Sequence, residues 1–144
     1  MSNMGRILAV DPGQKRIGLA LSDPTLTLAT PLMIMKHSSM LLDAAQIARL
    51  AEENQVQTII VGQALGADGQ ETAASRHSRK LAESIQTQTR LPVLLWDESG
   101  STQTARQARI EMGVNRAKRR GHMDDLAAVV ILQTYLDERN QAHV

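Results

Sequence analysis

The chain contains no cysteine. Structural disulfides and thiolate metal sites are thereby excluded, so any bound metal must take oxygen or histidine-nitrogen ligands. Aromatic residues are almost absent: Trp96 and Tyr135 are the only two, and phenylalanine is missing. A single-strand binder that stacks successive bases on several rings is therefore not expected. No hydrophobic run approaches the roughly 18 residues of a membrane span, so no transmembrane helix is expected. The N-terminus shows no basic region followed by an apolar core and a cleavage site, so no signal peptide is read. A cytoplasmic location is the resulting expectation. Neither charge sign dominates: 16 Lys and Arg stand against 15 Asp and Glu, for a formal net charge of +1. Net charge alone therefore names no partner.

What is present fits a globular protein. With 144 residues, 42% hydrophobic and 22% charged, the chain is expected to form one domain, 1–144. Such a domain buries roughly two-thirds of its unfolded surface. The cations are clustered. Arg116, Lys118, Arg119 and Arg120 form a basic knot, with Lys15-Arg16 and Arg76, Arg79 and Lys80 as lesser clusters. Such knots can contact nucleic-acid phosphates; the plainer reading is a solvated loop or helix face.

Apolar periodicity orders the chain. Residues 6–11 and 16–22 read as strands joined by a short Pro-Gly turn, hence a hairpin. Residues 26–35 extend it as a third strand after the Asp23-Pro24 turn. Ser38 or Ser39 is positioned to cap a helix over about 40–54, where Leu41, Leu42, Ala45, Ile47, Ala48 and Ala51 recur at helical spacing. Thr58 to Gly62 reads as a buried strand, Gly62 to Gly69 as a loop, and about 71–88 as a polar helix. Leu91 to Trp96 reads as another buried strand, followed by a helix over about 103–112. The last helix, about 123–138, is apolar on most sides and should lie against the sheet. Antiparallel strands first, then strands alternating with helices, predict an α/β fold. Its five-stranded mixed sheet would carry an antiparallel meander, parallel strands and helices on both faces.

Three acidic positions fall where such a topology gathers functional groups, beyond the carboxyl ends of central strands. Asp11 closes the first strand, Asp97-Glu98 follows the last strand, and Asp124-Asp125 opens the final helix. Each has an ordinary explanation alone: a turn former before Pro-Gly, a loop residue, a favourable charge at a helix N-terminus. Together they suit a hard divalent cation, because close carboxylates repel one another unless a cation lies between them. Two such ions ~3.5–4 Å apart support phosphodiester hydrolysis. Of the histidines, His122 neighbours Asp124, although a solvated loop residue is its plainer reading. Trp96 reads as core packing.

The residues also resemble a known family. Ala9-Val10-Asp11-Pro12-Gly13-Gln14-Lys15-Arg16-Ile17-Gly18-Leu19-Ala20-Leu21-Ser22-Asp23, Ile60-Val61-Gly62, Asp68-Gly69, Leu91-Pro92-Val93, Trp96-Asp97-Glu98-Ser99 with Ser101-Thr102, and Asp124-Asp125-Leu126-Ala127-Ala128 running into Ile131-Leu132-Gln133 are similar to the YqgF/RuvX family. Its members are Holliday junction resolvase-like or pre-16S rRNA nucleases with an RNase H-like fold. The resemblance implies a hydrolase using two Mg²⁺ or Mn²⁺ ions held by Asp11, Glu98 and Asp124, leaving a 5′-phosphate and a 3′-hydroxyl. It also selects Glu98 over Asp97 and Asp124 over Asp125, which periodicity does not. Lys15, Arg16, Arg116, Lys118, Arg119 and Arg120 would hold phosphates of a pre-rRNA or branched DNA. Gly13 and Gly18 would admit the substrate backbone.

Two departures from the family pattern bear on substrate preference and catalytic strength. Gln63-Ala64-Leu65-Gly66 replaces a Leu-Pro-Leu-Asn-like run, and Ser99-Gly100 stands where Arg-Leu is usual. An RNA-binding module that does not cut is therefore the alternative. An ATP-hydrolysing actin-like half, suggested by Asp11-x-Gly13 with Gly18, would need a second domain for which 144 residues leave no room. Symmetric junction cutting would require two active sites and hence a homodimer.

Overall fold

The computed structural model describes residues 5–97 and 126–142. Glu98, Arg116, Lys118, Arg119, Arg120 and Asp124, and the helix expected over 103–112, lie outside the described residues.

The described elements are β1 (Arg6–Pro12), β2 (Arg16–Ser22), β3 (Ala29–Lys36), α1 (Met40–Glu53), β4 (Val56–Gln63), α2 (Ala73–Gln86), β5 (Val93–Asp97) and α3 (Leu126–Ala142). The strands form one sheet in the order β3-β2-β1-β4-β5. β1–β2 and β2–β3 are antiparallel, whereas β1–β4 and β4–β5 are parallel. Short turns suffice for the meander. Each parallel pair requires a crossover, which α1 and α2 supply.

Side-chain alternation along β1 divides the core in two. Leu8 and Val10 join Ile47 of α1 and Leu81 and Ile85 of α2 on one face. Ile7 and Ala9 join Ala128, Ile131, Leu132 and Leu136 of α3 on the other. The mixed sheet with helices on both faces is thus as the sequence predicts.

Local chemistry sets the helix ends. Ser39, rather than Ser38, caps α1: its Oγ accepts the Leu42 N–H at 3.2 Å. Thr72 and Ser75 form a reciprocal capping box at the start of α2, at 3.0 and 2.8 Å. Polar as α2 is, Ser78, Leu81, Ala82 and Ile85 share a buried stripe at helical spacing. In α3 every residue from Ala128 to Thr134 is buried. The buried Gln133 is fully engaged, accepting from the Ala29 N–H and donating to the Thr27 carbonyl and to Asp137.

Two expectations need correction. The third strand starts at Ala29, not at residue 26. Asp23 is the reason: its carboxylate accepts the N–H groups of Thr25, Thr27 and Leu28, at 3.1, 2.8 and 2.8 Å. Those donors are lost to the ladder, and Leu26 takes a left-handed backbone (φ 60°) that buries its side chain against α3. The second correction concerns β5. It is the sheet edge among the described residues, with β4 as its neighbour, and Leu94 and Leu95 are 45% and 36% exposed. Its composition is that of a buried strand, but its position is not. At the other edge, β3 carries Pro31, and its register with β2 shifts between Leu19 and Ala20.

The Asp23 loop has a measurable signature. Burial works to raise its pKa, but the hydrogen bonds from Leu28, Thr25 and Thr27 outweigh it and hold the carboxyl at about 2. Stability from this group is present above its ordinary 3.8 and is lost as pH falls from there through about 2. Asp23→Asn should cost about 1 kcal/mol or less at neutral pH, discounted for solvent exposure. Urea unfolding between pH 2 and 6 should show wild type and variant converging at the acid end.

Candidate functional site

The site forms around Asp11, and the register explains its surroundings. Asp11 pairs with Gly18 and Gly18 with Ile34. On the other side Val10 pairs with Val61, which places Gly62 next to Asp11, and Gly62 pairs with Trp96. One row across the α3 face therefore reads Ile34, Gly18, Asp11, Gly62, Trp96. Glycines flank Asp11 on both sides, so the two adjacent strand positions put no side chain against its carboxylate.

These glycines also bring α3 close. A Cβ at Gly62 would lie 2.4 Å from Cδ1 of Ile131, and one at Gly18 3.6 Å from Cβ of Ala128. The first turn of α3 thus sits over Gly18, beside Asp11. Trp96 and Tyr135 meet edge to face at 5.2 Å under the same helix, which makes Trp96 a packing residue. Gly62→Ala should force Ile131 aside and cost about 1–3 kcal/mol. Urea denaturation would measure this; an unchanged midpoint would show that α3 can lift without penalty.

Gly13 has a structural role in the turn. A Cβ there would lie 2.2 Å from the Arg16 carbonyl oxygen. Gly13 lets the β1–β2 turn close on its own backbone, and a Cβ at Gly18 would stand in ordinary contact with Ala128 and Asp11, at 3.6 and 3.7 Å.

The Asp11 carboxylate is half-buried, and no hydrogen bond or ion pair engages it among the described residues. Burial pushes its pKa above the ordinary 3.8. A desolvated anion without a partner is costly, and a hard cation would relieve that cost with the oxygen ligand such ions prefer. Asp11 thus fits a Mg²⁺ or Mn²⁺ ligand. Among the described residues, no three histidine or carboxylate side chains cluster. Glu98 and Asp124, the carboxylates that the family resemblance adds, follow β5 by one residue and precede α3 by two in sequence, outside the described residues.

A groove of about 280 Å³ opens beside Asp11, beyond the carboxyl ends of β1 and β4. The β1–β2 turn forms one wall, and His77 and Ser78 of α2 form another. His77 was not singled out by sequence pattern. The signal available was the Thr72 cap, which starts α2 at the same end of the sheet and puts His77 in its first two turns. Lys15 and Arg16 are exposed at the turn. Arg79 is instead engaged by Glu71 at 2.5 Å and Glu83 at 4.0 Å, so that lesser cluster is partly neutralised.

Comparison with known proteins agrees with this architecture. A family profile described as RuvX, Holliday junction resolvase, matches residues 5–138. A protein of Anaeromyxobacter sp. (strain Fw109-5) named "Putative pre-16S rRNA nuclease" is 42% identical over 135 residues, covering 94% of this chain and 98% of its own. One of the same name from Novosphingobium aromaticivorans is 38% identical, covering 92% and 85%. Among solved structures, T. thermophilus RuvC in complex with a Holliday junction substrate superposes with a TM-score of 0.57 at 13% identity, covering 94% of this chain and 95% of that one. The fowlpox virus Holliday junction resolvase gives 0.55 at 16%, covering 92% and 99%. At such identities the two structures speak for a shared RNase H-like fold. The profile match and the curated relatives go further: the chain belongs to the RuvX family.

Proposed function

We propose that the chain is a metal-dependent nuclease hydrolysing phosphodiester bonds of structured nucleic acid in the cytoplasm, the whole chain acting as one nuclease domain. The observation that carries this reading is the desolvated carboxylate of Asp11, without a partner among the described residues and set between two glycines at the strand ends. Asp11, Glu98 and Asp124 would hold two Mg²⁺ or Mn²⁺ ions. Bound there, the ions would supply an activated water and neutralise charge on the leaving oxygen. Lys15 and Arg16, with Arg116, Lys118, Arg119 and Arg120, would hold the phosphates on either side of the reacting one. The names of the curated relatives favour pre-16S rRNA as substrate, its 5′ end being the proposed point of processing, and the family description favours Holliday junction DNA. A homodimer would be needed to cut a junction symmetrically.

Wild type and Asp11→Asn, compared on an rRNA precursor and on a four-way junction, test the activity. Equal cleavage by both would end the proposal. Ser99-Gly100, where the family usually has Arg-Leu, favours as second reading an RNA-binding module that does not cut. Metal binding separates the two. At 100 times its dissociation constant, Mg²⁺ or Mn²⁺ should stabilise the wild type by about 2.7 kcal/mol and leave Asp11→Asn nearly unaffected, as read by thermal unfolding. RNA affinity without any such stabilisation would favour the binding module.

A further inference from the structure

The β1–β2 turn stands between two grooves. One holds Asp11; the other, about 600 Å³, lies on the β3 side, and Gln14 lines both. Lys15, Arg16, Lys36 and His37 wall the second groove, and no acidic residue lines it among the described residues. Arg16 and Lys36 are register partners across β2 and β3, so their side chains leave the same face of the sheet, one strand spacing of about 4.8 Å apart. Alternation from the buried Ile17 and Met35 makes this the face that carries Asp11 and Gly18. The His37 N–H donates to the Lys15 carbonyl at 2.9 Å, which ties the end of β3 to the turn.

These cations differ from two others on the surface. Arg79 is engaged by Glu71 and Glu83, and Arg49 by Glu53. Lys15, Arg16 and Lys36 are exposed, and no carboxylate pairs with them among the described residues. His37 is fixed from behind: its Nδ1 lies 2.5 Å from Oδ2 of Asp43, a carboxylate 3% exposed. The other Asp43 oxygen accepts the Ser38 N–H at 3.0 Å. With Nδ1 committed to Asp43, Nε2 is the ring nitrogen left for a ligand. Like charges gathered this way repel one another and favour an anionic occupant.

We propose that this second groove binds the phosphodiester backbone of the nucleic-acid strand that continues from the Asp11 groove over the turn, with Lys36 and His37 as contacts beyond Lys15 and Arg16. The inference rests on the nuclease reading for the class of ligand. Gln14, common to both grooves, marks the crossing point. Lys36 and His37 stand 20 or more positions from the first basic pair in sequence, and strand pairing brings them together.

The test measures binding of a labelled four-way DNA junction and of a single-stranded rRNA-precursor fragment as a function of salt, in the Asp11→Asn background so that no cutting intervenes. Lys36→Ala should reduce the slope of log affinity against log salt by about 0.9 on duplex arms, or about 0.7 on the single strand, and Lys36→Glu should weaken binding roughly threefold to tenfold. A larger effect on one of the two ligands identifies which backbone the groove holds. Arg90→Glu, an exposed charge reversal that lines neither groove, should leave affinity within twofold. Unchanged binding on Lys36→Glu, or an equal loss with Arg90→Glu, would overturn the proposal. His37→Gln, checked for folding by circular dichroism, should weaken binding in the same direction as Lys36→Ala. Cleavage by wild type with no Lys36 effect removes the groove and spares the nuclease reading. Lys36-dependent binding with no cleavage by wild type does the reverse.

Discussion

Replacing Asp11 by Asn is expected to lower phosphodiester cleavage by about 10³-fold or more while the protein stays folded. Charge stabilisation by a bound metal is worth several kcal/mol of barrier, and each ~1.36 kcal/mol is tenfold in rate. Asn keeps the shape of the side chain and removes the charge that would hold the ion. The substitution has a second, opposite effect on stability. Burial raises the Asp11 pKa above 3.8, so the ionised form costs folding free energy. That cost is absent below 3.8, where the group is protonated whether folded or not, and it develops as pH rises through the raised folded value. At neutral pH the metal-free variant should therefore melt above metal-free wild type. The difference should shrink as pH is lowered, and saturating Mg²⁺ should reverse the order. A variant that melts lower than wild type without metal would mean that Asp11 has a structural partner and would weaken its assignment as a ligand.

Gly13→Ala is expected to cost about 3 kcal/mol, the upper end of overpacking effects. The obstruction is the Arg16 carbonyl oxygen, 2.2 Å from where the methyl carbon would stand. Backbone cannot rotate away as a side-chain tip can, so the turn itself must open. The turn ends in Lys15 and Arg16 and forms a wall of both grooves, so nucleic-acid affinity should fall along with stability. Chemical denaturation gives the first quantity and salt-dependent binding the second. A Gly13→Ala protein with wild-type midpoint and affinity would show that the turn has a second conformation compatible with function.

Much of this was legible in the chain, for reasons that differ by element. β1, β2 and their turn are plain because alternating apolar residues and Pro-Gly agree. The boundary of β3 is not, because Thr25 to Leu28 have strand-like composition and only the Asp23 carboxylate, by taking their N–H groups, denies them to the sheet. The apolar run Val93 to Trp96 says strand but not edge, since edge position is set by strand order. Asp11 stands out as a charge closing an apolar run. Its glycine neighbours do not, because Gly18 and Gly62 are placed beside it by register. The choice of Glu98 and Asp124 as its partners came from family resemblance, since the apolar character of the last helix does not distinguish Asp124 from Asp125. His77, Lys36 and His37 carry no signal in sequence pattern, because their nearness to the turn exists only in the folded chain.

The irregular strand β3 has one further consequence. An open sheet edge is a template for strand addition, and proteins discourage this with proline, bulges and charge. β3 has all three: Pro31 lacks an N–H to donate, the ladder slips between Leu19 and Ala20, and Lys36 ends the strand. Two copies of the chain are thus poorly suited to join by continuing one sheet into the other at this edge. A dimer that presents two Asp11 sites to one branched substrate would be expected to form through side-chain contact between other surfaces, leaving the cationic groove beside β3 open to solvent.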